Sequence, residues 1–255
     1  MLGAIAGDVI GSIYEHAALK TKRFPLFLPE SCFTDDSVMT LAVADALLTN
    51  GDYIQAFHRF YHFYPRAGYG GQFRNWCRLK LTEPYNSWGN GSAMRVSAVG
   101  LAFNTIEEVL AEAERSAAVT HNHPEGIRGA QATAAAVFLA RSKPPKAEIA
   151  KYITTQFGYD LETPLASVRP TYLPDVSCAG TVPWALRSFL EAVGFEDAVR
   201  NAISLGGDAD TLACIAGAVA GVYYGVPDEI ASKTLSRLDD RLRGVLTRFT
   251  ERYDC

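Results

Sequence analysis

Ser204-Leu-Gly-Gly-Asp-Ala-Asp-Thr211 sets Asp208, Asp210 and Thr211 behind two glycines and directly ahead of the uncharged run 212–226. That run is 15 residues long, short of the ~20 apolar residues that cross a bilayer, so it reads as a helix buried in a protein core. Phe33-Thr-Asp-Asp-Ser37 repeats the arrangement, with Thr34 as N-cap and Val38, Met39, Leu41, Ala42, Ala46 and Leu48 at helical spacing until Asn50-Gly51. Two acid-headed buried helices frame the rest of the chain.

Working outward, residues 3–14 are apolar with Gly3, Gly7 and Gly11 four apart, which on a helix makes one smooth stripe for a close backbone neighbour. Asp8 and Glu15 interrupt that segment, either as the polar end of a packed helix or as a means of carrying Glu15 to a cleft. Further helices are expected at 52–64, 72–81, 93–101, 105–119, 125–141, 146–156, 180–192, 195–204, 210–225 and 235–252. The last carries Leu235, Leu238, Leu242, Val245, Leu246 and Phe249 on one stripe. His58 and His62 stand at i and i+4 without an HExxH glutamate or a third ligand, and are assigned to an aromatic packing layer. Only fragments near 168–176 alternate like a strand, so the fold class is all-α, one compact multi-helix domain over residues 1–255. The long irregular stretch 158–179 reads as a functional edge.

Hydrophobic residues at 48% and charged residues at 20% place the chain among ordinary globular proteins and exclude disorder. A net charge of −4 with scattered Lys and Arg leaves no basic nucleic-acid-binding footprint. Cys32, Cys77, Cys178, Cys214 and Cys255 are odd in number and lack a CxxC pair, so they are read as reduced thiols. The N-terminus lacks a basic n-region and has an acid at position eight, a poor signal peptide. A cytoplasmic monomer with no membrane association is expected.

One capping side chain suffices for a helix, yet each acidic cluster offers three oxygen donors. Asp35, Asp36, Asp208 and Asp210 have no Lys or Arg neighbours in sequence, and burying them is costly unless a cation neutralises them. Carboxylate and hydroxyl ligands without His or Cys suit Mg2+, Mn2+ or Ca2+, and two ions sharing bridging carboxylates is a reasonable construction. An EF-hand starting at Asp208 is excluded, because Ala213 stands at its glycine position and Val219 at its glutamate position. Gly68-Tyr-Gly-Gly71 and Trp88-Gly-Asn-Gly-Ser92 both precede expected helices, and serve either as tight turns or as phosphate cradles. Neither is a Walker A loop nor a dinucleotide fingerprint. Trp88 inside a glycine loop suits the stacking of a base. In Thr120-His-Asn-His-Pro124, His121 is either a turn residue or a contact to phosphate or a substrate hydroxyl.

Together, 3–15, Phe33-Thr-Asp-Asp-Ser37, Gly68-Tyr-Gly-Gly71, Gly89-Asn-Gly-Ser-Ala-Met-Arg95, Thr120-His121 and Ser204-Leu-Gly-Gly-Asp-Ala-Asp-Thr211 resemble, in order, the motifs of the ADP-ribosylglycohydrolase family. That family is typified by the dinitrogenase reductase-activating glycohydrolase and the ADP-ribosyl-acceptor hydrolases. The resemblance implies two Mg2+ or Mn2+ ions on Thr34, Asp35, Asp36, Asp208, Asp210 and Thr211, with the distal ribose of ADP-ribose on the ions. It implies that Gly70, Gly71, Ser87, Asn90 and His121 hold ribose and pyrophosphate, with Trp88 beside the adenine. It implies hydrolysis of the glycosidic bond of an ADP-ribosylated protein, nucleic acid or small molecule, with Glu15, Asp35 or Asp36 managing protons. Segments 16–32 and 158–179 carry none of the motifs and are expected to form the acceptor-side rim. Two other readings share these residues: a module that binds ADP-ribose without turnover, and a Mg2+-dependent phosphohydrolase of nucleotide diphosphates.

Overall fold

The computed structural model describes residues 1–49 and 51–253. The N-terminal part forms α1 (Leu2–Gly11), α2 (Asp35–Leu48), α3 (Tyr53–Phe63), α4 (Gly71–Arg78) and the one-turn α5 (Gly91–Met94). The middle supplies α6 (Ser97–Ala102), α7 (Ile106–Ala118), α8 (Pro124–Ala140), α9 (Lys146–Phe157) and the one-turn α10 (Leu165–Val168). The chain ends with α11 (Cys178–Glu191), α12 (Phe195–Ile203), α13 (Ala209–Tyr224), α14 (Asp228–Leu235) and α15 (Asp240–Tyr253). No strand occurs among the described residues; the stretch 168–176 is a helix end followed by loop, and its neighbour Ser177 makes only an isolated bridge to Gly89.

The centre of the core is α13, buried from Ala209 to Ala220, and its most extensive partner is α1. The glycine stripe of α1 explains the closeness of this pair. A Cβ on Gly3 would collide with the Gly217 carbonyl, one on Gly7 with the Ala213 carbonyl, and one on Gly11 would lie 2.5 Å from Asp210 Cα. These obstacles are backbone, which no side-chain rotation relieves. The fit brings Asp8 on α1 next to the first turn of α13, while α2 packs against α1 and α11 against α13.

Helix α1 stops at Gly11, so the expected helix over 3–14 is too long, and Glu15 sits in the following turn. The helix expected over 93–101 is two short ones, broken at Arg95 and Val96, where the Arg95 guanidinium is buried and bonded to Ser116 and Thr120. The helix expected over 235–252 is likewise divided. Residues 236–239 separate α14 from α15, because the Asp239 carboxylate accepts the Leu242 N–H at 2.9 Å and begins a new helix. His58 stacks on Trp76 with ring centroids 4.2 Å apart, in keeping with an aromatic layer. Cys32, Cys77, Cys178 and Cys214 are free thiols. Cys255, and the Asn50 half of the Asn50-Gly51 helix stop, lie outside the described residues. No described helix is long and apolar enough to cross a membrane.

Candidate functional site

The starts of α2 and α13 meet on the floor of a cleft of about 450 Å3, within the range of ligand pockets. Thr34, Asp35, Asp36, Asp208, Asp210 and Thr211 all line it, as do Glu15, Gly70, Gly71, Ser87, Trp88, Asn90 and His121. Every site residue expected from the sequence is therefore gathered at one place.

Capping accounts for only part of this cluster. Thr34 caps α2 by accepting the Asp36 N–H at 3.2 Å, whereas Asp208 makes no side-chain cap on α13. Its Oδ2 instead accepts from Asn90 Nδ2 at 2.6 Å, and the same amide donates to Thr181 Oγ1 at 3.0 Å. Asp36 is buried, and although its Oδ2 accepts from Thr211 Oγ1 at 3.3 Å, its Oδ1 has no hydrogen-bond partner. A buried carboxylate oxygen left bare calls for a cation or a proton.

The oxygens are spaced for cations. Ligand atoms of Asp8, Asp36 and Asp210 lie within 4.8 Å of one another, and so do those of Glu15, Asp208 and Asp210. The two groups share Asp210, contain only carboxylates, and so fit hard divalent ions rather than zinc or copper. Among the described residues, none of the ion pairs reaches Asp8, Asp35, Asp36, Asp208 or Asp210. Burial, followed by repulsion from Asp210, raises the Asp36 carboxyl well above the ordinary range. Burial and the Asp208 charge do the same to Asp210. Burial, with Asp8 and Asp208 nearby, lifts Asp35 to about 8. A cation in their midst would reverse each of these shifts.

Asp8 is the residue that sequence reasoning missed. It is fully buried and accepts from Thr34 N at 2.9 Å, Thr34 Oγ1 at 2.7 Å, Ser37 N at 3.0 Å and Ser37 Oγ. Its carboxylate thereby ties α1 to the head of α2 and accepts the hydrogen bond of the Thr34 hydroxyl. The only local signal was an acid inside a glycine-striped apolar segment.

The walls are built from the glycine turns. Gly70 is the N-cap of α4, and a Cβ added at position 70 or 71 would meet no atom within 4 Å, so both open on space. Asp35 N donates to Ala67 O at 2.7 Å, which fastens this turn to the head of α2. Across the cleft, Trp88 is half exposed, Ser87 Oγ accepts from Gly89 N at 3.1 Å, and Asn90 N donates to Val176 O at 2.8 Å. Asn90, expected to hold ribose or pyrophosphate, lines the cleft with its Nδ2 donating to Asp208 and Thr181. His121 is buried with Nδ1 2.7 Å from Thr120 Oγ1, and burial together with the Arg95 charge keeps its pKa well below the usual value.

Glu15 stands at the cleft edge with its side chain 42% exposed, 3.9 Å from His16. Gly206 and Gly207 both adopt positive φ, +73° and +75°, but the neighbours they admit are loops rather than the acidic cluster. Gly206 abuts Ala18 and Lys20, Gly207 abuts Pro174 and Tyr172, and Lys20 Nζ donates to the Tyr172 and Leu205 carbonyls. Parts of segments 16–32 and 158–179 thus meet beside the cleft, and Val176 lines it directly.

A family model described as ADP-ribosylglycohydrolase matches residues 1–254. The chain is 30% identical to the ADP-ribosylhydrolase ARH3 of Bos taurus, over 89% of this chain and 84% of that protein. It is 27% identical to the ADP-ribosylarginine hydrolase Tri1 of Pseudomonas putida (strain GB-1), over 89% of this chain and 70% of that protein. A solved structure of an ADP-ribosylglycohydrolase-related protein complex superposes with a TM-score of 0.67 at 23% identity, covering 98% of this chain and 96% of that one. At that identity the likeness speaks for the fold.

Proposed function

The chain belongs to the ADP-ribosylglycohydrolase family, and from that premise we propose that it hydrolyses the glycosidic bond between ADP-ribose and an acceptor. The observation that carries the reading is the pair of carboxylate groups sharing Asp210, with a bare Asp36 Oδ1, on the floor of a cleft with glycine walls. Asp36, Asp208 and Asp210, which fall within those groups, together with Thr34, Asp35 and Thr211 that line the same cleft, are the residues that would hold two divalent cations, Mg2+ or Mn2+. When bound there, such ions supply positive charge to orient ribose hydroxyls and to acidify a water.

The remaining roles belong to side chains and backbone of this chain. Asp8 accepts the hydrogen bond of the Thr34 hydroxyl, and with one lone pair given to the Asp36 N–H that oxygen keeps the other for an ion. Asn90 fixes the Asp208 carboxylate, so its contribution is to orient a ligand rather than to touch pyrophosphate first. Gly70 and Gly71 offer backbone N–H groups at the N-terminus of α4, where the helix dipole favours a phosphate. Trp88 presents an open ring face for the adenine.

Breaking the bond at the anomeric carbon leaves positive charge on the ribose, and a cleft rich in carboxylates favours that charge. The bonding pair leaves with the acceptor atom, water adds to the carbon, and the carboxylate that takes the water's proton returns it to the departing acceptor. Glu15 is the exposed acid of the cluster, Asp35 and Asp208 are half-buried, and Asp36 and Asp210 are buried; since Asp208 is held by the Asn90 amide, proton transfer is assigned to Glu15 or Asp35.

The test is product analysis on Arg-, Ser-, Glu- and nucleic-acid-linked ADP-ribose with Mg2+ or Mn2+ present. Free ADP-ribose from at least one conjugate is expected. AMP with ribose 5-phosphate would establish a phosphohydrolase instead, and tight binding with every conjugate intact would establish a reader.

A further inference from the structure

The cleft wall contains a chain of polar groups that the proposed chemistry does not use: Arg95, Thr120 and His121. Arg95 ends α5 and is 1% exposed, with its guanidinium 4.3 Å from the centre of the Phe57 ring. Its Nη2 donates to Ser116 O at 3.0 Å and to Thr120 Oγ1 at 2.9 Å. Thr120 is fully buried, and its Oγ1 lies 2.7 Å from His121 Nδ1. Both residues are pinned from the backbone as well, since Thr120 N and His121 N donate to Ala117 O at 3.1 and 2.7 Å.

The donor inventory limits the direction of this chain to two arrangements, and in the first the Thr120 hydroxyl donates to His121. A guanidinium has no acceptor, so the Thr120 oxygen must receive the Arg95 N–H and spend a lone pair on it. The hydroxyl has one proton of its own to give, and Nδ1 is an acceptor within reach. An imidazole that accepts at Nδ1 and is uncharged carries its single proton on Nε2. That nitrogen faces the turn at Gly89 and Gly91, where an added Cβ would lie 3.7 and 3.1 Å from it. Any side chain at 91 would crowd it, and glycine keeps the approach clear.

We propose that Arg95 and Thr120 are positioning residues that hold His121 as the Nε2–H tautomer, so that the cleft meets its ligand with a fixed, uncharged N–H donor for a phosphoryl or hydroxyl oxygen. The identity of that ligand rests on the ADP-ribose reading above; the tautomer does not. Burial draws Arg95 down to about 10, which still leaves it cationic at neutral pH, and its charge helps to keep the neighbouring imidazole neutral. A neutral donor that cannot exchange its tautomer gives up none of its hydrogen-bonding direction when the ligand enters. The competing arrangement puts the imidazole proton on Nδ1, which then donates to the Thr120 oxygen, and turns the Thr120 hydroxyl away toward Tyr85, whose ring centroid lies 6.0 Å from that of His121.

Long-range 1H–15N correlation spectra of the 15N-histidine protein, without ligand at neutral pH, separate the two. His121→Gln identifies the His121 signals among those of the five histidines. The expected spectrum shows Nε2 protonated in the wild type and in Thr120→Ser, and a mixture or the Nδ1–H form in Thr120→Val. ADP-ribose affinity should fall about tenfold in Thr120→Val and return in Thr120→Ser, as for the loss of one well-aligned hydrogen bond. An Nδ1–H wild type overturns the proposal, as does a Thr120→Val spectrum that keeps Nε2–H. The wild-type spectrum alone decides the assignment should Thr120→Val fail to fold. A wild type that shows the Nε2–H form and does not bind ADP-ribose sinks the functional reading above while supporting the tautomer.

Discussion

Replacing Asp36 by asparagine separates a cation site from an elaborate helix cap. Carboxylate oxygens of Asp8, Asp36 and Asp210 lie within 4.8 Å of one another, with no Lys or Arg paired to them. Two like charges at that distance repel by roughly 3 kcal/mol at an effective dielectric near 20, and the cation-free protein bears that cost or holds protons to avoid it. An amide of the same shape at position 36 removes the two repulsions that involve it and leaves only that between Asp8 and Asp210. In chelator, Asp36→Asn should therefore melt at or above the wild type. Adding Mn2+ at about 100 times its dissociation constant should stabilise the wild type by about 2.7 kcal/mol. For a chain of this size that is roughly 5–10 °C, taking 2–4 °C per kcal/mol. The variant should gain little. Scanning calorimetry with and without Mn2+ reads both effects, and a crossing of the two proteins is the signature. A variant that melts far below the wild type in chelator, beside a wild type that ignores Mn2+, would refute the reasoning and leave Asp36 as a structural partner of the Thr211 hydroxyl.

Glu15→Gln should leave ADP-ribose affinity nearly unchanged while slowing turnover by about 10²–10⁴, the usual contribution of a proton-transfer group; calorimetric binding beside single-turnover rates checks it, and an unchanged rate removes Glu15 from the chemistry. Asn90→Ala frees the Asp208 carboxylate from its amide clamp and should weaken Mn2+ binding by roughly 10–100-fold, measured by isothermal titration. His121 is held neutral by burial, and the unfolded chain takes up a proton at an ordinary pKa of about 6.5 that the native protein does not bind. Stability present above that pH is therefore lost as pH falls below it, by up to about 1.4 kcal/mol per unit. Urea unfolding at stepped pH should show a shallower slope in His121→Gln.

What could be read from the chain was local. The Gly3, Gly7 and Gly11 stripe announced a backbone partner, and α13 is that partner. Thr34 announced a cap and makes one, and the surplus of acids at both helix starts pointed to the cleft floor. What escaped depends on contacts between distant residues. The stripe from Leu235 to Phe249 is periodic through the break at 236–239, but Asp239 caps Leu242 while also accepting from the Tyr64 hydroxyl, and Arg237 is bonded to the carbonyls of Leu28 and Pro29. Periodicity cannot register a stop imposed by partners some 175 residues away. Asp8 looked like an interruption because its four donors belong to Thr34 and Ser37 at the head of another helix. The bond from Asn90 to Asp208 escaped as well, since nothing near Asn90 in sequence reveals it.

The most direct test of the account is the release of free ADP-ribose from a conjugate that the protein cleaves, followed in Mg2+ or Mn2+, after chelation, and after the ion is restored. The account predicts that release stops with chelation, returns with the ion, and is absent in folded Asp208→Ala at every ion concentration. Release at the full rate in chelator, or from Asp208→Ala, would contradict it.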